Sequence, residues 1–161
     1  LGLQTVHDVT AKRINRGHDY QTFLQGFEAL KKRGIRVCVH IINGLPGEDH
    51  DMMLETAAEM ARIKPDFLKI HLLHIMHHTR IASEYEAGEF SEMSFDAYVN
   101  TVCDQIELLP KEIVLQRLTG DAPKDLLIAP LWSSAKRSVL NHIHHEMKLK
   151  DSWQGKLYSE N

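Results

Sequence analysis

Apolar positions along the chain keep two different rhythms. Residues 37–42, 67–76 and 113–118 are short apolar runs rich in β-branched side chains, of strand length. Between them, apolar residues return at helical spacing. Phe23, Phe27 and Leu30, with Leu24 beside them, mark a helix over 20–33. Met53, Ala57, Met60 and Ala61 mark another over 50–64. Phe95, Val99, Val102 and Ile106 mark a third over 94–109, and Ala135, Val139, Ile143 and Met147 a fourth over 131–150. The alternation of strand and helix predicts an α/β fold with parallel strands and crossover helices.

Punctuation supports the same reading. Residues 1–5 predict a strand and 7–15 a short helix that Asp8 or Thr10 would cap. Gly17 suits a left-handed terminus, Asp19 a cap, and Gly34 and Pro65 ends of helices. Residues 78–90 hold a short helix, Ser94 caps the next, and 119–123 form a loop. Trp153, Leu157 and Tyr158 are the apolar points of a polar tail and would pack it onto the body. The run from Val37 to Asp49 organises the rest: a buried strand, a tight turn at Gly44, Pro46 and Gly47, then acidic residues that favour a helix N-terminus. Without a side chain, Gly44 would let a ligand approach the backbone, where the plain alternative is a βα turn with no ligand.

Bulk properties narrow the class. The chain has 161 residues, 43% hydrophobic and 25% charged, which suits one domain with a real core. A net charge of −3 gives no global signal for nucleic acid. No run is long and apolar enough for a membrane helix, so no membrane partner is expected. Two cysteines, Cys38 and Cys103, point to a reduced, cytoplasmic protein rather than a disulfide framework. No internal repeat or linker divides the chain, so residues 1–161 read as a single domain. The opening Leu1-Gly2-Leu3-Gln4-Thr5 reads as a strand cut into from outside, hence a piece of a longer protein.

Candidate chemistry lies at strand ends. The chain carries 11 histidines but no Cys-x-x-Cys partner and no His-Glu-x-x-His, so structural zinc has little support. In an unbroken strand His71 and His74 point to opposite faces. Gln4, His40, Asn43, His71, His74, Gln116, Arg117 and Asp121 close four successive strands. A curved sheet would bring them together, as at the carboxyl face of a barrel. Arg16 and Arg117 are cations near that face, suited to a carboxylate or phosphate, with surface ion pairing as the plain alternative.

Three stretches together resemble the radical S-adenosylmethionine (SAM) enzymes, in their Elongator-type and methylthiotransferase-like branch. They are Gly2-Leu3-Gln4-Thr5 with Ile14-Asn15-Arg16-Gly17-His18, His40-Ile41-Ile42-Asn43-Gly44-Leu45-Pro46-Gly47-Glu48, and Lys69-Ile70-His71-Leu72-Leu73-His74. The resemblance implies a partial TIM-type barrel, half of a radical SAM barrel. Residues 1–80 would be its last SAM-side βα units, and 81–161 C-terminal helices with a further strand. It implies that Gln4 and Arg16 contact SAM, the arginine through the SAM carboxylate. His40 would stand near the ribose, Gly44 beside the SAM site and His74 on the adenine side. His71, Arg117 and Asp121 become substrate-side candidates.

The family's Cys-x-x-x-Cys-x-x-Cys motif is absent from the chain, so no metal ligand is assigned here. The resemblance implies that the longer protein uses SAM and a [4Fe–4S] cluster to make a 5′-deoxyadenosyl radical, with flavodoxin or ferredoxin as electron donor. The fragment alone would be inactive and bind neither group stably. Elongator-like relatives act on transfer RNA, and Arg13, Arg16 and Lys31–Arg33 are candidate phosphate contacts, although a solvated helix face is the plainer reading. The exposed edge at residues 1–5 would favour self-association. The alternatives are a non-catalytic α/β ligand-binding or interaction module, and an unrelated barrel enzyme that uses His71, His74 and Arg117 directly.

Overall fold

The computed structural model describes residues 1–160. Its elements follow in the order β1 (Gly2–Gln4), α1 (Asp8–Arg13), α2 (Tyr20–Lys31), β2 (Cys38–Asn43), α3 (His50–Ile63), β3 (Phe67–Leu72), β4 (Ile75–Met76), α4 (Arg80–Glu86), α5 (Phe95–Leu108), β5 (Val114–Arg117), β6 (Leu127–Ala129), a 3-10 turn (Leu131–Ser134) and α6 (Lys136–Leu149). Four parallel strands form the main sheet in the order β1-β2-β3-β5. No helix among the described residues is long and apolar enough to cross a membrane.

Caps set several helix starts. Asp19, Asp49, Thr79 and Ser94 each accept a hydrogen bond from the backbone N–H three residues on. Helix α1 differs from expectation. His7 holds its N-cap position without a side-chain bond, and Asp8 accepts from the Tyr20 N–H at 2.8 Å instead.

The core lies on one side of the sheet. Leu3, Val39, Ile41, Leu68, Ile70 and Leu72 are buried against Phe23, Phe27, Met60, Tyr98, Val102 and Ile143 of the helices. The alternate residues Cys38, His40, Ile42, Lys69 and His71 face the other way and stay half-buried. Parallel sheets are ordinarily covered on both faces, so this polar, half-covered face is a distinctive feature. It is concave: Cys38 Sγ comes within 3.4 Å of Gln116 Oε1 across the intervening β3.

Three expectations need correction. The apolar run 67–76 is not one strand. After Leu72 the chain leaves the sheet, Ile75 and Met76 pair antiparallel with β6, and Ile75 builds a small second core with Ala82 and Ala129. The helix expected over 131–150 begins only at Lys136. Leu131–Ser134 form the 3-10 turn after Pro130, with Leu131 71% exposed. The tail docks through polar groups rather than its apolar residues. Gln154 Nε2 donates to the carbonyls of Pro110 and Ile113, and the Gly155 and Leu157 N–H groups to those of Ile106 and Glu107. Trp153 and Leu157 remain exposed, while Tyr158 lies beneath Lys64.

Candidate functional site

The strand ends form a cavity of about 290 Å³ on the concave face, lined by Gln4, His40, His71 and His74 with Ile42 and Leu73. His40 and His71 stack with ring centroids 5.3 Å apart. His71 and His74 share this cavity because β3 ends at Leu72. The opposite-face expectation holds only for continuous strand. A second cavity, about 350 Å³, shares Ile42 and Leu73. Its walls are Leu45, Pro46 and Ile81, with Arg13 and Glu84 paired at 3.7 Å beside them.

The histidines of the first cavity favour the neutral state. Burial lowers the His71 pKa to about 4, helped by His40, Arg117, Lys69 and His74. Burial also lowers His40, followed by Lys69 and Arg117. His74 is lowered by burial and by Lys136. The Nε2 atom of His71 is buried without a hydrogen-bond partner. A neutral imidazole still offers one N–H and one lone pair, so the cavity presents polar groups without fixed imidazolium charge.

Gln4 enters this site on a strained turn. Its φ is +64°, and the Thr5 N–H donates back to the Leu3 carbonyl at 2.8 Å. That i to i+2 bond with positive φ is the rarer and more strained form of γ-turn. The Gln4 side-chain amide lies over Gly2. A Cβ there would stand 2.5 Å from Gln4 Nε2.

Arg16 does not line the cavity. Its side chain is 2% exposed. Nη1 donates to the carbonyls of Leu3 and Thr5, both at 2.7 Å, Nε to that of His18 at 2.8 Å, and Nη2 to Asp8 at 3.3 Å. The guanidinium clamps the Gln4 turn from behind. In this arrangement it does not reach for a ligand carboxylate. Gly44 is likewise approached by protein. The Cβ of Met93 lies 3.3 Å from where a Gly44 Cβ would stand.

Asn43 also turns away from the site. It shares the parity of Val39 and Ile41, is 1% exposed, and forms a reciprocal amide pair with Gln105. Arg117 and Asp121 do not line the first cavity. They pair at 3.6 Å, and Lys136 also contacts Asp121. Of the basic runs, Lys31 is paired with Asp66 and Arg13 with Glu84.

Two residues escaped the sequence reading. Gly120 backs His74: a Cβ there would collide with the imidazole ring. A glycine just past a strand end was the available signal. Lys69 sits on the concave face beside His40, and a lone cation in an apolar strand, at the parity of His71, would have pointed to it.

Cys38 and Cys103 do not fit an iron–sulfur cluster. Cys103 is buried under α6 and bonds the Ile143 carbonyl, whereas Cys38 stands on the concave face. Among the described residues no group of three or more His, Cys, Asp or Glu could hold a metal.

Comparison with known proteins fits this geometry. Residues 65–149, more than half of the chain, match the Radical_SAM C-terminal domain, and residues 1–60 match the Radical SAM superfamily. The chain belongs to the radical SAM superfamily. This radical SAM chain is 49% identical over 158 residues to the uncharacterized protein YtqA of Bacillus subtilis (strain 168), covering 98% of the chain and 49% of YtqA. It is 24% identical over 131 residues to a tRNA uridine(34) acetyltransferase of Methanocaldococcus jannaschii, covering 80% of the chain and 24% of that protein. The fold resembles the solved structure of Methanocaldococcus infernus Elp3 lacking its N-terminus, with a TM-score of 0.84 at 20% identity, over 96% of the chain and 36% of Elp3. Thus the chain spans about half the length of YtqA and about a quarter of the acetyltransferase.

Proposed function

We propose that this chain is the SAM-side half of a radical SAM barrel within a longer enzyme. The carrying observation is the concave cavity where Gln4, His40, His71 and His74 meet at the strand ends of a radical SAM fold. Its residues fit SAM in kind. The apolar recess of Leu45, Pro46 and Ile81 suits a purine, while the Gln4 amide and the unpartnered His71 Nε2 offer polar contacts beside it. When bound beside a reduced cluster, SAM is the source of the carbon radical that takes a hydrogen atom from substrate. The chain's own residues bind and orient. Gln4 and His40 contact SAM, and His74, held by Gly120, closes the adenine side. Arg16 and Gly44 act indirectly, Arg16 by holding the Gln4 turn and Gly44 by allowing the βα turn to pack. The cluster ligands lie outside this chain, because its own cysteines do not fit one.

In this reading residues 1–80 supply the last SAM-side βα units and 81–161 the C-terminal helices. Among the described residues β1 pairs with β2 alone, which leaves its other edge open to a further barrel strand or to a second copy. A cytoplasmic setting with a flavodoxin or ferredoxin donor suits the chemistry. RNA is the proposed substrate class, supported by the kinship with a tRNA uridine(34) acetyltransferase.

Equilibrium dialysis of SAM against the full-length protein tests the site. Gln4→Ala is expected to weaken SAM binding about tenfold or more, with unfolding midpoints little changed, as for a lost ligand hydrogen bond. Undiminished affinity in Gln4→Ala and His40→Ala together would remove the SAM assignment.

A further inference from the structure

We propose that His40, Lys69 and Arg117 form an anion subsite on the concave face, which takes a phosphate or carboxylate group of a ligand bound in the adjoining cavity. Its occupant, though not its existence, rests on the radical SAM reading.

The three residues stand in a row across three strands. His40 on β2 is the register partner of Lys69 on β3, and Lys69 is the partner of Arg117 on β5. Strict alternation would aim Arg117 back toward the helices, since Leu115 pairs with the buried Leu68. The register shifts by one residue between Leu68 and Lys69, so Gln116 and Arg117 together oppose Lys69. An extra residue of this kind re-aims a side chain. Gln116 reaches Cys38 on the concave face, and Arg117 acts on both His40 and His71.

Charge in this region is unbalanced. Lys69 has no carboxylate partner among the described residues. Asp121 is shared between Arg117 and Lys136, so three cations face one carboxylate. No acidic group figures among those acting on His40 or His71. Lys69 is half-buried and Arg117 exposed, and like charges across neighbouring strands repel. An anion seated between them reverses the sign of that interaction. Arg offers a planar fork, Lys a point charge and the neutral imidazole one N–H, a donor set suited to anionic oxygens.

The test uses the full-length protein that contains this chain, with inorganic phosphate as probe in equilibrium dialysis at constant ionic strength. Wild-type protein is expected to bind phosphate. Lys69→Met should weaken it about tenfold, the scale of one charge-assisted hydrogen bond. Lys69→Arg should retain most of it, which separates lost charge from lost folding. Arg117→Gln should weaken it less, because Asp121 already engages that guanidinium. Phosphate that does not bind at millimolar concentration, or that binds Lys69→Met as well as wild type, overturns the proposal. SAM and 5′-methylthioadenosine, which lacks the carboxylate, identify the occupant. If SAM alone displaces phosphate, the subsite takes the SAM carboxylate. If phosphate stays bound beside SAM, it takes an anionic group of the second substrate. Unchanged SAM binding in Lys69→Met, with phosphate binding also unchanged, overturns the subsite and leaves the SAM reading intact.

Discussion

Replacing Arg16 by Met separates a clamp from a ligand. The side chain is 2% exposed and makes four hydrogen bonds within the chain. Two of its acceptors recover on their own. Asp8 is 46% exposed and keeps the Tyr20 N–H, and His18 lies at the surface. The cost therefore falls mainly on the Thr5 carbonyl, at about 1–3 kcal/mol for a buried acceptor deprived of its donor, because the Leu3 carbonyl keeps the Thr5 N–H. Release of the Gln4 turn adds to the damage, because a residue at positive φ persists only while its surroundings over-determine it. The sum is a loss of about 2–4 kcal/mol, at the upper end for a single substitution. Urea unfolding of the full-length protein with unchanged m-value measures it. Arg16→Lys should lose less, since an ammonium can still serve one or two of the carbonyls. SAM affinity should fall in step with stability across the two variants. A variant within 1 kcal/mol of wild type in stability, yet bound to SAM a hundredfold more weakly, would refute the clamp and make the guanidinium a direct ligand.

Further outcomes follow from the same geometry. Gln105→Leu leaves the buried Asn43 amide without its partner and should cost about 2–3 kcal/mol in urea unfolding, part of which the double variant Asn43→Leu, Gln105→Leu restores. Gly120→Ala pushes on the His74 ring and should weaken SAM binding severalfold, while Gly26→Ala, in α2 with open space around it, leaves SAM binding alone. His71 has a folded pKa near 4, below its ordinary 6.5, so the unfolded chain binds more protons between these values. The histidine therefore costs no stability above pH 6.5 and destabilises the fold progressively as pH falls toward 4. His71→Gln should flatten that slope in unfolding measured across the window, and an identical slope would contradict it.

Local signals in the sequence carried much of the fold. Asp19 and Ser94 read as caps and serve as caps, and the Met53, Ala57, Met60 and Ala61 face is buried as its spacing implies. What escaped was decided at long range. The end of β3 at Leu72 depends on β6, some 50 residues later, which claims Ile75 and Met76. Without that break His71 and His74 could not share a cavity. Asn43 belongs by parity to the buried face, but its partner Gln105 lies 62 residues away and on another element. Arg16 shows the limit of motif matching. The motif marked the residue as important, yet only the folded backbone shows its donors turned onto the Gln4 turn. The register shift that sets Arg117 opposite Lys69 is announced by no sequence rhythm.

The central claim concerns the chemistry of the longer protein, and one measurement addresses it directly. The full-length protein is purified without oxygen, its iron, sulfide and visible spectrum are recorded, and reductant and SAM are then added. The account predicts a cluster-bearing protein that releases 5′-deoxyadenosine. A colourless, cluster-free protein that leaves SAM intact would contradict it and favour a binding module built on the same half-barrel.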